Sequence, residues 1–214
     1  MKRLLSFVCV AMLTIAASAQ ITWNVKAGGG IATMWGGDLD NVKPHVVAKI
    51  GVGIEKPFSS NFSLMPSLEI AWKGVKHGFT GYYYSVHADR LDVEEVDVSI
   101  NYDFLYVQIP VLAAYRINLN SDWNLTLKGG PYAGYCVYDH YKSEQSISGI
   151  NYDTQSGSNE MDIKKFDAGI DLGIDIEYHR FVFGVEGEMG FLSLFGGDAK
   201  INNLAFYASI GYKF

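Results

Sequence analysis

Cysteine, basic residues and long apolar runs are all scarce in this chain, and each shortage removes a class of answer. There are two cysteines among 214 residues. Cys9 lies in a leader-like amino-terminal stretch, so an exported chain would keep only Cys136, and an intramolecular disulfide is excluded. Beyond that stretch nothing approaches the ~18 consecutive apolar residues of a membrane helix, which excludes a helical anchor. Seventeen Lys+Arg stand against 23 Asp+Glu, a net charge of −6, so the basic footprint that nucleic acid requires is missing. The acidic group Asp89, Asp92, Glu94, Glu95 and Asp97 lacks the spacing and turn glycine of a calcium loop. No cofactor is expected, and Cys136 reads as a small, inert interior residue.

The first residues carry an export signal. Lys2 and Arg3 precede an apolar run from Leu4 to Ala16, and Ala17-Ser18-Ala19 forms a small-residue cleavage site before Gln20. Residues 1–19 are therefore expected to be a signal peptide and residues 20–214 a single domain. Loss of Lys2 and Arg3 with that peptide would deepen the net charge from −6 to −8.

An exported chain without a helical anchor is either soluble or a membrane barrel, and alternation decides. In the last eleven residues Leu204, Phe206, Ala208, Ile210, Tyr212 and Phe214 alternate with Ala205, Tyr207, Ser209, Gly211 and Lys213. That is period two over the ~9–11 residues of a tilted membrane strand. The same pattern recurs over 22–35, 45–56, 62–75, 105–117, 125–138, 166–178 and 181–194. It is sharpest where Ile170, Leu172, Ile174 and Ile176 alternate with Asp171, Asp175 and Glu177. Fourteen Tyr, twelve Phe and four Trp supply aromatic girdles, with Trp23 and Trp35 a membrane's height apart. The expected fold is all-β: an eight-stranded antiparallel transmembrane up-and-down β-barrel in the outer membrane. Connections after segments two, four and six are short and those after three and five long, which puts both termini on the periplasmic side. Pro110 marks an expected bulge or irregular pairing. The Ser-, Asn- and Gly-rich stretch 139–165 reads as a mobile loop.

Upstream of Leu105 the odd positions turn polar (Asp103, Asn101, Ser99, Asp97) and the even ones apolar (Tyr102, Ile100, Val98, Val96). The strand has not slipped; its surroundings change from lipid to water near Phe104–Leu105. A hairpin rising above the membrane follows, with Val75, Phe79 and Tyr83 facing that apolar row and Tyr82-Tyr83-Tyr84 near its tip. Its sheet edge and tyrosines make it the candidate surface for an envelope or surface protein partner.

The segments Tyr106-Val107-Gln108-Ile109-Pro110-Val111-Leu112, Gly129-Gly130-Pro131-Tyr132-Ala133-Gly134 and Phe166-Asp167-Ala168-Gly169-Ile170, with Glu69 after Pro66 and Gly74, resemble the PorT-like outer-membrane barrels of Gram-negative envelopes. The resemblance implies an eight-stranded barrel, with one family member serving a protein-secretion apparatus. It assigns no functional residue.

Inward positions carry the charge. Lys26, Lys49, Lys73, Arg116 and Lys128, with Glu55 and Glu69, come from the first five segments. Asp167, Asp171, Asp175, Glu177, Glu186 and Glu188 come from the sixth and seventh. Eight strands leave a lumen just wide enough for side chains to fill. Cross-lumen ion pairs closing the barrel are favoured over an ion or proton conduit, because buried charges persist when paired. Lys49 and Glu69 are expected directly opposite each other, counting through a turn with Pro57 opposite Asn61. Ser85 and His87, with Glu94 and Glu95, offer the alternative of a lipid-modifying enzyme. The preferred reading is a monomeric structural or interaction barrel surrounded by outer-membrane lipid, with a small pore and such an enzyme as alternatives.

Overall fold

The computed structural model describes residues 21–36, 42–87, 90–147, 150–158, 163–194 and 201–214. The leader-like residues 1–19 lie outside these. Nine strands follow one another: β1 (Thr22–Trp35), β2 (Val42–Pro57), β3 (Phe62–His87), β4 (Arg90–Asn118), β5 (Trp123–Ile147), β6 (Ile150–Ser158), β7 (Phe166–Tyr178), β8 (Phe181–Gly190) and β9 (Asn202–Lys213). Each ring strand pairs antiparallel with its neighbours, β4 pairs with β5, and β9 returns to β1. Eight strands thus close a ring. The ninth, β6, pairs with β5 alone among the described residues and stands outside it.

Alternation drives this closure. A strand with one apolar face and one charged face cannot lie flat in lipid without exposing charge, whereas a closed ring hides the charged face and leaves no edge. On β7 the carboxylates of Asp167, Asp171, Asp175 and Glu177 are buried while Leu172, Ile174 and Ile176 are exposed. β8 repeats this, with Glu186 and Glu188 inside and Phe181, Phe183 and Val185 outside. Ile54, on the outward face opposite Trp23, is an exception and is buried.

Aromatic rings band the short-turn end. Phe62 packs on Tyr115 at 4.8 Å between centroids, Trp123 on Tyr178 at 4.6 Å, and Tyr212 on both Phe181 and Phe214. The turns there are tight. Asn120 Oδ1 accepts from the backbone N–H groups of Asp122 and Trp123, and His179 takes a left-handed φ of 54° between β7 and β8.

At the other end β3 and β4 continue past the barrel, paired without interruption from Glu69↔Gln108 to His87↔Arg90. The raised hairpin is therefore present, with Val75 opposite Tyr102 and Phe79 opposite Val98, while Tyr83 pairs with Glu94. Val75 is buried against Phe104 and Tyr102 in an apolar cluster, whereas Phe79 is exposed.

Two local expectations are corrected. The stretch 139–165 is not simply loop, because β5 runs to Ile147 and β6 folds back on it. The raised part of β4 offers free backbone groups from Val96 to Tyr102, and β5 pairs with them from Ile147 to Tyr141, which overrides the polar local composition. Pairing is irregular around Pro110 as expected, Ile109 and Pro110 having no partner on β3 and Val111 and Leu112 none on β5. The register shift of β4 against β5 lies apart from it, between Leu105 and Tyr106, and leaves Val137 of β5 unpaired with β4. Parity flips there: Cys136 and Asp139 point inward, Val137 and Tyr138 outward. β8 ends at Gly190, earlier than the alternation suggested.

Candidate functional site: a charge-filled lumen beneath a raised sheet

The inward residues stack in tiers from the short turns to the raised end. At the bottom Lys213 Nζ donates to Glu55 Oε2 at 2.7 Å and Glu177 Oε1 at 2.6 Å, and Arg116 reaches the same two carboxylates at 2.6 and 3.3 Å. Ser63 and Thr126 donate their hydroxyls to this pair of acids. Above, Lys128 bridges Asp175 and Glu186, each at 2.6 Å, and Lys26 also bonds Glu186.

The next tier centres on Lys49, buried at 4 % exposure and ion-paired with Glu69, Glu186 and Glu188. Gln108 ties Glu69 to Glu188 through its amide nitrogen, at 3.2 and 2.9 Å. At the top Lys73 meets Glu188 at 2.9 Å and Asp167 at 3.4 Å and lies 4.5 Å over the Tyr132 ring. Tyr132 and Asn203 donate to the same Asp167 oxygen. Met34, Val75, Phe104, Tyr106, Cys136, Ile163 and Leu194 then form an apolar cluster over the raised end of the lumen.

Two backbone facts make this network reachable. Gly173 lies in register between Lys128 and Glu186, and a Cβ there would come within 2.7 Å of Lys128 Cε and 2.9 Å of Glu186 Cγ. Its bare backbone lets the ion pair pass over β7. Lys49 and Glu69 are not directly opposite as counted from the sequence: Lys49 faces Ala71 and Glu69 faces Gly51. The turn closes with Pro57 opposite Ser63, two residues later than assumed, and Phe62 O accepts from Phe58 and Ser59. The two charges still meet, diagonally, at 3.6 Å.

Lys26, Lys49, Glu69, Lys73, Lys128, Asp175, Glu186 and Glu188 are thus brought into one ion-pair network. Asp171 lies among them, directly opposite Glu188 and fully buried, yet neither of its oxygens accepts a hydrogen bond. The tiers described above hold six bases and eight carboxylates, and Asp171 holds no ion pair within 4 Å among the described residues. Lys213 and Asn203 escaped the sequence reasoning, whereas Gln108 is inward as alternation places it. Lys213 could have been found, since it occupies an inward position of the alternation in β9. Two cavities in the lower lumen hold about 20 Å³ each, the space of roughly one water.

In the raised hairpin the backbones of Tyr82, Tyr83 and Tyr84 pair with Glu95, Glu94 and Val93. Tyr82 is exposed; the side chains of Tyr83, Tyr84, Ser85, His87, Asp92, Glu94 and Glu95, and all of Asp89, lie outside the described residues. Among the described residues no cluster of His, Cys, Asp and Glu could hold a metal ion.

Residues 17–196 match the family model described as outer membrane protein beta-barrel domain. The chain belongs to that family. This outer-membrane barrel is similar in fold to the attachment invasion locus protein Ail of Yersinia pestis, at 15 % identity over 90 % of this chain and 98 % of that one, with a TM-score of 0.40. Neisserial surface protein A is similar at 12 % identity over 90 % and 97 %, TM-score 0.38. A major outer membrane protein of Thermus thermophilus follows at 11 % identity over 91 % and 100 %, TM-score 0.42. None of the curated proteins matches this barrel.

Proposed function

We propose that this outer-membrane barrel is a closed, monomeric anchor of PorT-like type whose working part is the raised sheet, an interaction surface for an envelope or secretion assembly. The observation that carries this is the contrast between the two halves. The lumen is filled by interlocked ion pairs that leave room for little more than single waters. Above it, β3 and β4 extend some 15 residues beyond Trp72 and Leu105, joined by the raised part of β5 and by β6. A strand of that length stands on the order of 50 Å along its axis. Building so much sheet outside the membrane costs ordering entropy that the membrane anchor does not need.

The raised sheet faces outside the cell, and the leader and short turns mark the periplasmic side. Its outermost strand segment, Gly78 to His87 of β3, pairs with β4 on one side and, among the described residues, with nothing on the other. Such an edge accepts an added strand. Tyr82, with Tyr83 and Tyr84, adds aromatic contact area at low entropic cost.

Replacing residues 81–94 by a short turn should leave heat-resistant barrel folding intact and abolish rescue of the phenotype caused by deleting the whole gene. Full rescue by the shortened chain would refute the role of the raised sheet. Planar-bilayer recording tests the closed lumen separately: stable, reproducible channels from folded protein would replace the anchor with a pore.

A further inference from the structure

The outward face of the raised sheet carries a feature that the lumen and the hairpin edge leave unused. Lys43 on β2 is directly opposite Lys76 on β3, Lys76 opposite Asn101 on β4, and Asn101 opposite Lys142 on β5. Residues directly opposite in an antiparallel sheet share a face. The face is the one that carries Trp72 and Gly74, four and two residues below Lys76, and therefore continues the lipid-facing surface upward. Three lysines thus stand in one row on a chain whose net charge is −6. Lys43 and Lys142 are exposed and Lys76 is half-buried.

Like charges directly opposite destabilise a sheet, and Lys43↔Lys76 is such a pair. Only Lys142 has an ion-pair partner among the described residues, Glu144 at 2.5 Å. Asp103, the nearest carboxylate below the row, is already engaged. It accepts from Trp72 Nε1 at 3.1 Å and contacts His45 Nε2 at 2.9 Å. The His45 ring lies over Gly74, where a Cβ would come within 3.0 Å of its Cδ2. Asp97, four residues up β4 from Asn101, accepts from Thr80 at 2.7 Å. Among the described residues Lys43 and Lys76 therefore hold no ion pair, and three lysines share the single carboxylate of Glu144.

Height identifies the missing anion. Trp72 and Tyr138 are exposed aromatic residues of the upper girdle, and Lys76 lies four residues beyond Trp72, about 13 Å of strand. That reaches the polar headgroup layer just outside the hydrocarbon. Directly beneath the row is a cleft of about 260 Å³ lined by Trp72, Asp103, Phe104, Leu105, Tyr138 and His140. Cations above an aromatic cleft at this depth match an amphipathic anion.

We infer that Lys43, Lys76 and Lys142 form a binding site for the phosphate groups of an outer-leaflet lipid, with its neighbouring apolar portion in the Trp72–Tyr138 cleft. The inference rests on the outward orientation of the raised sheet proposed above. The lipid phosphate neutralises the lysine row and clamps the base of the sheet to the membrane surface.

The full chain is refolded in neutral detergent micelles and titrated with diphosphorylated lipid A as probe, with retained lipid counted by native mass spectrometry. Changing Lys43, Lys76 and Lys142 together to Gln should weaken binding at least about tenfold, while the same three changed to Arg should retain it. High salt should weaken the wild type in the same direction. Unchanged binding by the Gln variant, or equal binding of dephosphorylated lipid A, would overturn the site. Lysine-dependent competition by a soluble sulfated polysaccharide at equal affinity would reassign it to a soluble polyanion. Orientation is read independently by labelling Tyr82→Cys on intact cells with an impermeant maleimide, Cys136 being buried. Absence of labelling would overturn the outward sheet, and the choice of lipid with it, even where the micelle result held.

Discussion

Replacing Lys49 by Met should be among the most damaging single changes in the barrel, and Asp171→Asn should partly undo it. Lys49 is the base that three carboxylates share: Glu69 at 3.6 Å, Glu188 at 2.9 Å and Glu186. Its removal leaves the eight carboxylates of the ion-pair tiers against five bases, among side chains buried from bulk water. Breaking a buried pair by removing one partner costs about 3–5 kcal/mol, and Lys49→Met should fall in that range, since three acids each lose a base while Glu186 keeps Lys26 and Lys128 and Glu188 keeps Lys73. Asp171 is the one carboxylate of this group that accepts no hydrogen bond, and it faces Glu188 directly. Neutralising it in the wild type removes an attraction to Lys49 and a repulsion from Glu188 together, so Asp171→Asn alone should change stability by less than about 1 kcal/mol. Without Lys49 only the repulsion remains, and the same change should restore about 1–3 kcal/mol, the size of coupling expected between contacting groups. Equilibrium unfolding in guanidinium with the barrel in lipid vesicles, followed by tryptophan fluorescence, measures all four corners of this cycle. A cost of about 3 kcal/mol for Asp171→Asn in the wild type would mean that Asp171 is a compensated charge, and the account of the lumen would fail.

Three smaller perturbations probe other tiers of the barrel. Glu69→Gln removes one of the partners of Lys49 but leaves Glu186 and Glu188 in place, so unfolding in denaturant should show a loss of about 1.5–3 kcal/mol; no change would mean the Lys49–Glu69 contact is solvated. Gly173→Val should cost more than a neutral strand substitution, about 1–3 kcal/mol from crowding alone, because its Cβ meets both Lys128 and Glu186; a stabilised variant would show the ion pair does not cross there. Lys213→Met should cost about 3 kcal/mol or more, since Arg116 alone then serves Glu55 and Glu177, and the heat resistance of the folded band on gels should fall with it.

The ring was legible because its physics is periodic. Every charged residue of β7 and β8 that alternation places inside is inside, since lipid tolerates no other parity. What escaped the sequence depends on distances along the chain that periodicity does not encode. The Lys49–Glu69 register slipped by two because the turn after Pro57 closes through Phe62, a matter of backbone hydrogen bonding rather than side-chain type. The bulge at Val137 is invisible because Val137 and Tyr138 are both at home against lipid, so no polar residue reports the change of parity. β6 was hidden by its polar composition and became a strand only because β4 and β5 were already raised beside it. The apolar cluster over the lumen joins Met34 at the end of β1 to Ile163 and Leu194 from two distant connections, and no local pattern could have grouped them.

The seam between β1 and β9 has a consequence for the order of assembly. β9 is the last ring strand in chain order, and it brings Lys213, which binds Glu55 from β2 and Glu177 from β7 on opposite arcs of the ring. Until β9 docks, both acids depend on Arg116 alone, and the bottom of the ring holds one of its two fastening bases. A nascent barrel missing this strand would thus hold open edges in lipid and half-neutralised acid within, two penalties that act on the same intermediate. Closure then behaves as a latch thrown once, by the final strand, so that half-built rings are disfavoured as a class and insertion proceeds to the finished ring or not at all.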